Sequence, residues 1–177
     1  MRFQVLVDRS ERINKCTILP LAGHRDLDIL RYNRGQPLAA LTGQLLLHPD
    51  GQPLDLWRRT TVPATTVPAT TVPTLSAIDC TWKRLHTVLN CIAKPLPTLV
   101  GIPAGFVTAY PRRNKQDKDP DAGLATIEAV FIAAALLGHW DTSLLGHYAF
   151  AEAFLRQNKK TFEHYIAAPV TWPFAIN

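Results

Sequence analysis

The sequence predicts a single α/β domain built on a largely parallel sheet, and three observations carry that expectation. Strand-like runs alternate with segments of helical periodicity along the 177 residues. Hydrophobic residues make up 47% of the chain and charged residues 19%, too apolar a balance for a disordered chain and sufficient for one core. The longest apolar run, residues 129–138, falls far short of the ~20 residues that span a bilayer, so no membrane segment is expected.

Taken in order, residues 3–7 alternate as a strand. The run stops too early for a signal peptide, and with three widely spaced cysteines it points to a reducing, cytoplasmic setting. Residues 44–48 form a second strand-like run, closed by the turn formers Pro49, Asp50 and Gly51. Residues 60–74 then repeat a Thr-Thr-Val-Pro unit three times. Proline at every fifth position denies this insert a helix or an interior strand, so it divides an N-terminal α/β segment, residues 1–59, from residues 75–177. Strand, turn and helix follow over residues 75–92, then an apolar run over 96–102 and a polar loop over 111–123. Two helices close the chain. One covers residues 124–137 and stops at Gly138; the other, capped by Asp141 or Thr142, runs to about Asn158.

Three places carry residue types suited to chemistry. Asp79, Cys80, Thr81 and Trp82 sit at the carboxyl end of a strand, where ligands of open α/β sheets bind. There Asp79 suits a base or polar anchor and Trp82 a flat wall. Capping aspartates outnumber catalytic ones, so position alone reads Asp79 as a helix cap and Trp82 as core. Tyr110, Arg112, Arg113 and Lys115 combine an aromatic with guanidinium forks, a pattern suited to RNA, although Asp117, Asp119 and Asp121 offset the local charge. Thr126 offers a hydroxyl from the first turn of a helix, where unpaired N–H groups attract anions. Glu128, in the same turn, reads most simply as a complement to the helix dipole.

Other chemistries are missing from the sequence. No phosphate-binding glycine motif is present. The six histidines form no i,i+4 pair and no H-E-x-x-H, so no metal site is expected. Cys16, Cys80 and Cys91 read as buried small hydrophobes. A net charge of +5 permits a polyanionic partner.

The order of motifs says more than any one of them. Asn14-Lys15-Cys16-Thr17, Leu47-His48-Pro49-Asp50-Gly51 and Ile78-Asp79-Cys80-Thr81-Trp82 come first. Leu96-Pro97-Thr98-Leu99-Val100, Leu124-Ala125-Thr126-Ile127-Glu128-Ala129 and Phe154-Leu155-Arg156-Gln157-Asn158 follow. In this succession the chain resembles the small-subunit ribosomal RNA aminocarboxypropyltransferases and, more distantly, the DTW-domain tRNA aminocarboxypropyltransferases. It departs from them where the ribosomal RNA enzymes have Asn-Pro-Val-Asn-Tyr-Gly, for which this chain has Phe106-Val107-Thr108-Ala109-Tyr110-Pro111.

The resemblance implies a SPOUT-like α/β fold, with helices on both faces of a mostly parallel sheet and a C-terminal trefoil knot. It also implies an enzyme that moves the 3-amino-3-carboxypropyl group of S-adenosylmethionine to a uridine-type base in structured RNA, ribosomal RNA first and tRNA as an alternative. Cofactor contacts then fall on Thr17, Ile78, Trp82, Thr126, Leu96 or its rival Leu99, and the backbone of Ala122. Asp79 is the candidate base, and Tyr110, Arg112, Arg113 and Lys115 are the RNA contacts. The rival expectations are a non-catalytic RNA-binding or ribosome-assembly protein of the same fold, and an RNA methyltransferase. Nothing in the sequence fixes an oligomeric state; a monomer is the simplest expectation.

Overall fold

In the computed structural model of the protein, the described residues are 1–61, 74–111, 123–166 and 170–173. Their strands are β1 (Phe3–Asp8), β2 (Leu27–Tyr32), β3 (Leu45–Pro53), β4 (Leu75–Asp79) and β5 (Thr98–Gly101). The helices are α1 (Leu54–Thr61), α2 (Trp82–Cys91), α3 (Thr126–Leu136) and α4 (Ala151–Tyr165), with 3-10 turns at Leu19–Leu21 and Thr142–Leu145. All strand pairs are parallel, in the order β2-β1-β4-β3-β5. Strands from both sides of the Thr-Val-Pro insert therefore interleave in one sheet; residues 62–73 of the insert lie outside the described residues.

A parallel sheet covered on both faces buries its interior strands completely, and all six residues of β1 are buried. Alternate side chains divide between two cores. Phe3, Val5, Val7, Leu75, Ala77 and Val100 face the larger core, which α3 and α4 close with Phe131, Phe154 and Phe162. Leu6 and Leu46 face the smaller one, closed by Leu41 and by Val88 and Leu89 of α2. Each such side chain contributes about 1.5–3 kcal/mol on burial. The helix α3 is the centre of the larger core. Nine of its eleven residues are buried, which accounts for a sequence that is apolar all round.

The chain leaving β1 covers the larger-core face through Cys16, Ile18, Leu19 and Leu21. The chain leaving β4 covers the opposite face as α2. Adjacent strands that send the chain to opposite faces leave a crevice between their carboxyl ends, and this locates the site.

Four expectations need correcting. The turn formers after Leu47 interrupt β3 without ending it: both Leu47 and Gln52 register with Val100, so residues 48–51 leave the ladder and the strand resumes. The last helix is two elements. Asp141 does cap, accepting from the Ser143 N–H at 3.0 Å, but it starts only the short turn Thr142–Leu145; α4 begins at Ala151 and runs on to Tyr165. The helix α1 reaches Thr61, into the first residues of the repeat. Finally, β2 has no counterpart among the expected elements. Only Leu27 and Tyr32 of this edge strand are buried, and charged Asp28 and Arg31 interrupt its apolar pattern.

Candidate active site

Three segments remote in sequence meet where β1 and β4 end. Asp79 closes β4 half-buried, and its Oδ1 accepts a hydrogen bond from the Thr126 hydroxyl at 2.6 Å. Its Oδ2 accepts from the Cys16 thiol at 2.9 Å. Next to Cys16, the Thr17 hydroxyl accepts the backbone N–H of Ile127 at 3.3 Å. That N–H belongs to the first turn of α3, where helical donors have no partner within the helix. The loop after β1, the end of β4 and the start of α3 are thereby tied together by three side-chain hydrogen bonds.

This overturns the commoner reading of Asp79 and Trp82. The N-cap of α2 is Thr81, with no side-chain capping bond, and Asp79 is engaged with Cys16 and Thr126 instead. Trp82 is half-buried and belongs to neither core.

Cys16 is buried, as expected, but acts as more than a small hydrophobe. Burial and the Asp79 carboxylate push its thiol up to about 12, so it stays protonated and donates. Its sulfur in turn accepts the N–H groups of Ile18 and Leu19 at 3.3 Å. Burial and Asp79 likewise push Cys80 up to about 12, so neither thiol is a ready nucleophile. Cys80 and Cys91 are half-buried rather than buried, and all three cysteines are free.

The apolar candidates sit across the sheet. Ile78 pairs with Leu6, Leu99 pairs with Leu46, and Leu96 lies just before β5; all three are half-buried against the smaller core. Hydroxyls and a carboxylate thus stand on one face of the strand ends and aliphatic side chains on the other. Ala122, Arg112, Arg113 and Lys115 lie outside the described residues. Tyr110 is half-buried, its ring edge-on to Phe150 at 6.1 Å.

Glu128 does far more than complement a dipole. Fully buried, it accepts the Ala125 N–H at 2.7 Å and the Thr108 hydroxyl at 2.6 Å on Oε2. On Oε1 it accepts the Ala109 N–H at 2.8 Å and the Tyr148 hydroxyl at 2.7 Å. Asn158 fixes the same segment by accepting the Val107 N–H and donating to the Val107 carbonyl, both at 2.8 Å. Residues 107–109, where the chain departs from the resembled pattern, are therefore held to α3 and α4.

Sequence reasoning missed a second polar cluster, around Asp8 at the end of β1. Burial would raise this carboxyl, but hydrogen bonds from Arg34 and Ser10 outweigh it and hold the group below its usual range. Nothing local in the sequence joins Asp8 to Arg34; the link comes from the pairing of Asp8 with Tyr32. Sequence spacing also misses Asp26, His139 and Asp141, whose ligand-type atoms lie within 4.8 Å of one another beside the amino end of β2. Among the described residues no helix is long and apolar enough to cross a membrane.

No protein-family model and no curated protein matches the chain. Among solved structures it is similar to the SAM-dependent rRNA:acp-transferase Tsr3 from Vulcanisaeta distributa. The TM-score is 0.60 at 22% identity, over 93% of this chain and 82% of that one. The likeness bears out the α/β fold with its five-stranded parallel sheet.

Proposed function

We propose that this protein transfers the 3-amino-3-carboxypropyl group of S-adenosylmethionine to a uridine-type base of structured RNA, ribosomal RNA in the first place. The observation that carries this reading is the crevice between β1 and β4. Asp79 is bonded there to Thr126, and Thr17 to the N–H of the adjacent Ile127, with Ile78, Leu96 and Leu99 across the sheet and Trp82 at the start of α2. A polar side and an aliphatic side suit a ligand with an amino-acid end and an aromatic base. The fold in which they occur is similar to that of a transferase of this kind.

S-adenosylmethionine supplies the electrophile: as the base nitrogen bonds to the γ-carbon of the aminocarboxypropyl arm, the carbon–sulfur bond breaks and its electron pair leaves with neutral 5′-methylthioadenosine. The protein decides which of the three carbons on sulfur is presented. In this reading Trp82 packs its indole face against the positive sulfur and shields the methyl. Ile78, Leu96 or Leu99 and the backbone of Ala122 enclose the adenine. Thr17 and Thr126 hold the amino end of α3, whose dipole favours a carboxylate nearby. Asp79 takes the imide proton. Each of its oxygens already accepts one donor, and a carboxylate has about four acceptor positions, so capacity remains. Tyr110, Arg112, Arg113 and Lys115 contact the RNA by stacking and phosphate pairing. A SPOUT-like C-terminal trefoil knot belongs to the same proposal.

Calorimetric titration with S-adenosylmethionine and S-adenosylhomocysteine tests the reading. Micromolar binding lost in Trp82→Ala, followed by an aminocarboxypropyl mass gain on a ribosomal RNA nucleoside, is the expected result. A methyl gain would make the protein a methyltransferase. Folded protein that binds neither ligand yet keeps salt-dependent RNA binding would make it a non-catalytic RNA-binding protein.

A further inference from the structure

One strand further along the same sheet edge, β1 and β2 also send the chain to opposite faces, through residues 9–21 and through Leu38 and Leu41. A cleft of about 160 Å³ lies beside this second crevice, between the chain following β2 and α2. Leu38, Val88 and Cys91 give it an apolar lining, and Tyr32, Arg34 and Arg84 supply its polar groups.

Tyr32 is only 5% exposed, and its hydroxyl has no hydrogen-bond partner among the described residues. Buried hydroxyls are seldom left so. Burial, with Cys80 and Asp8 nearby, pushes the phenol up to about 12, so it stays a neutral donor. Arg34 is anchored by Asp8 and by the Ser10 hydroxyl at 2.6 Å while its side chain remains 51% exposed, which fixes a guanidinium at the rim. Arg84 approaches the same carboxylate only to 3.9 Å, beyond hydrogen-bond distance, and is 46% exposed. Arg34 and Arg84, with Arg31 bonded to the Asp8 carbonyl, outnumber the Asp8 and Glu11 carboxylates and leave the rim positive.

An apolar slot with a buried hydroxyl and a cationic rim has the chemistry of a nucleotide: a flat base inside, a phosphate outside. We propose that this cleft binds a nucleotide of the RNA substrate, its base against Leu38, Val88 and Cys91 with a polar edge at the Tyr32 hydroxyl, and its phosphate on Arg34 and Arg84. The inference rests on the RNA-modifying reading above and adds where the substrate strand is gripped. Asp8 pairs with Tyr32 on one side while its neighbour Val7 pairs with Asp79 on the other, so the cleft lies two strands, roughly 10 Å, from the reacting centre. The helix α2 carries both Trp82 and Arg84, so one rigid element joins the two places. A strand whose reacting base lies at Asp79 and Trp82 sets a neighbouring nucleotide in the cleft.

The test uses the full chain with uridine 5′-monophosphate and inorganic phosphate as probes in amide NMR, and a single-stranded ribosomal RNA fragment in fluorescence anisotropy. Uridine monophosphate is expected to shift the resonances of Tyr32, Arg84 and Thr87. Arg84→Glu, and separately Thr87→Trp, which fills the slot from an exposed helix position, are expected to weaken RNA binding at least tenfold with S-adenosylmethionine affinity unchanged. Wild-type RNA affinity in both variants would overturn the proposal, as would shifts from inorganic phosphate equal to those from the nucleotide, which would mark a plain anion site. Nucleotide binding in the cleft without S-adenosylmethionine binding would remove the transferase reading and keep the cleft; the reverse would keep the enzyme and remove the cleft.

Discussion

Asp79 holds Thr126 and Cys16 on separate oxygens, so an amide in its place separates architecture from chemistry. In Asp79→Asn one oxygen survives, and the Thr126 hydroxyl can turn to accept from the new NH2 group. We expect a stability loss of about 1–2 kcal/mol and a fall in turnover of about 10²–10⁴-fold. Turnover unchanged in Asp79→Asn but abolished in Trp82→Ala would take Asp79 out of the mechanism. Glu128 offers no such compromise. Each of its oxygens accepts a backbone N–H, which cannot turn to accept, so Glu128→Gln sets its new NH2 group against one of them, for an expected loss of about 2–3 kcal/mol read as a lower urea midpoint at constant slope. The Cys16 thiol gives a pH signature. Its folded value, about 12, stands above the ordinary 9.0, so its contribution is complete below pH 9 and disappears as pH rises toward 12. The urea midpoint should therefore decline across that range, and less steeply in Cys16→Ser; equal slopes would show that the thiol does not stabilise the fold.

Elements were legible in proportion to their burial. The strands β1, β4 and β5 and the helix α3 are apolar because the cores require it, and hydrophobic patterning reports this directly. The edge strand β2 lacks that pattern because its outward residues meet solvent. The polar character of α1 hid it in the same way: Asp55, Arg58 and Arg59 leave few apolar positions in eight residues. Pro49, Asp50 and Gly51 were legible as a turn but not as an excursion within a strand, since the pairing that resumes at Gln52 depends on a remote partner, β5. Gly51 pins that excursion: a Cβ there would fall on the backbone of Val100. Gly51→Ala is expected to destabilise the β3–β5 pairing, with lowered protection of the Val100 amide in hydrogen exchange; unchanged protection would mean that the backbone yields at little cost.

At the scale of the whole molecule, the +5 charge is spread over the sequence, and its meaning depends on where the fold collects it. Arg34 and Arg84, distant in sequence, come within reach of one carboxylate at the strand ends. If the strand ends grip RNA, affinity should fall with salt by about 0.7 logarithmic units per tenfold change for each phosphate contacted. A flat salt profile would rule out a phosphate-led grip. The site was only half legible for the same reason. Asp79, Trp82 and Thr126 occupy recognisable positions beside strand and helix ends, whereas Cys16 as a donor and Tyr32 as a cleft wall exist only through tertiary pairing.

The donors that complete Asp79 lie 63 residues before it and 47 after it. During synthesis the carboxylate therefore emerges with one partner already made and the other still to come, and the Thr17 contact to Ile127 waits as well. A translation product that ends before α3 carries the strands and the basic edge but no finished crevice. On the proposed transferase reading, such a fragment would not bind S-adenosylmethionine, and only a chain completed through α3 would.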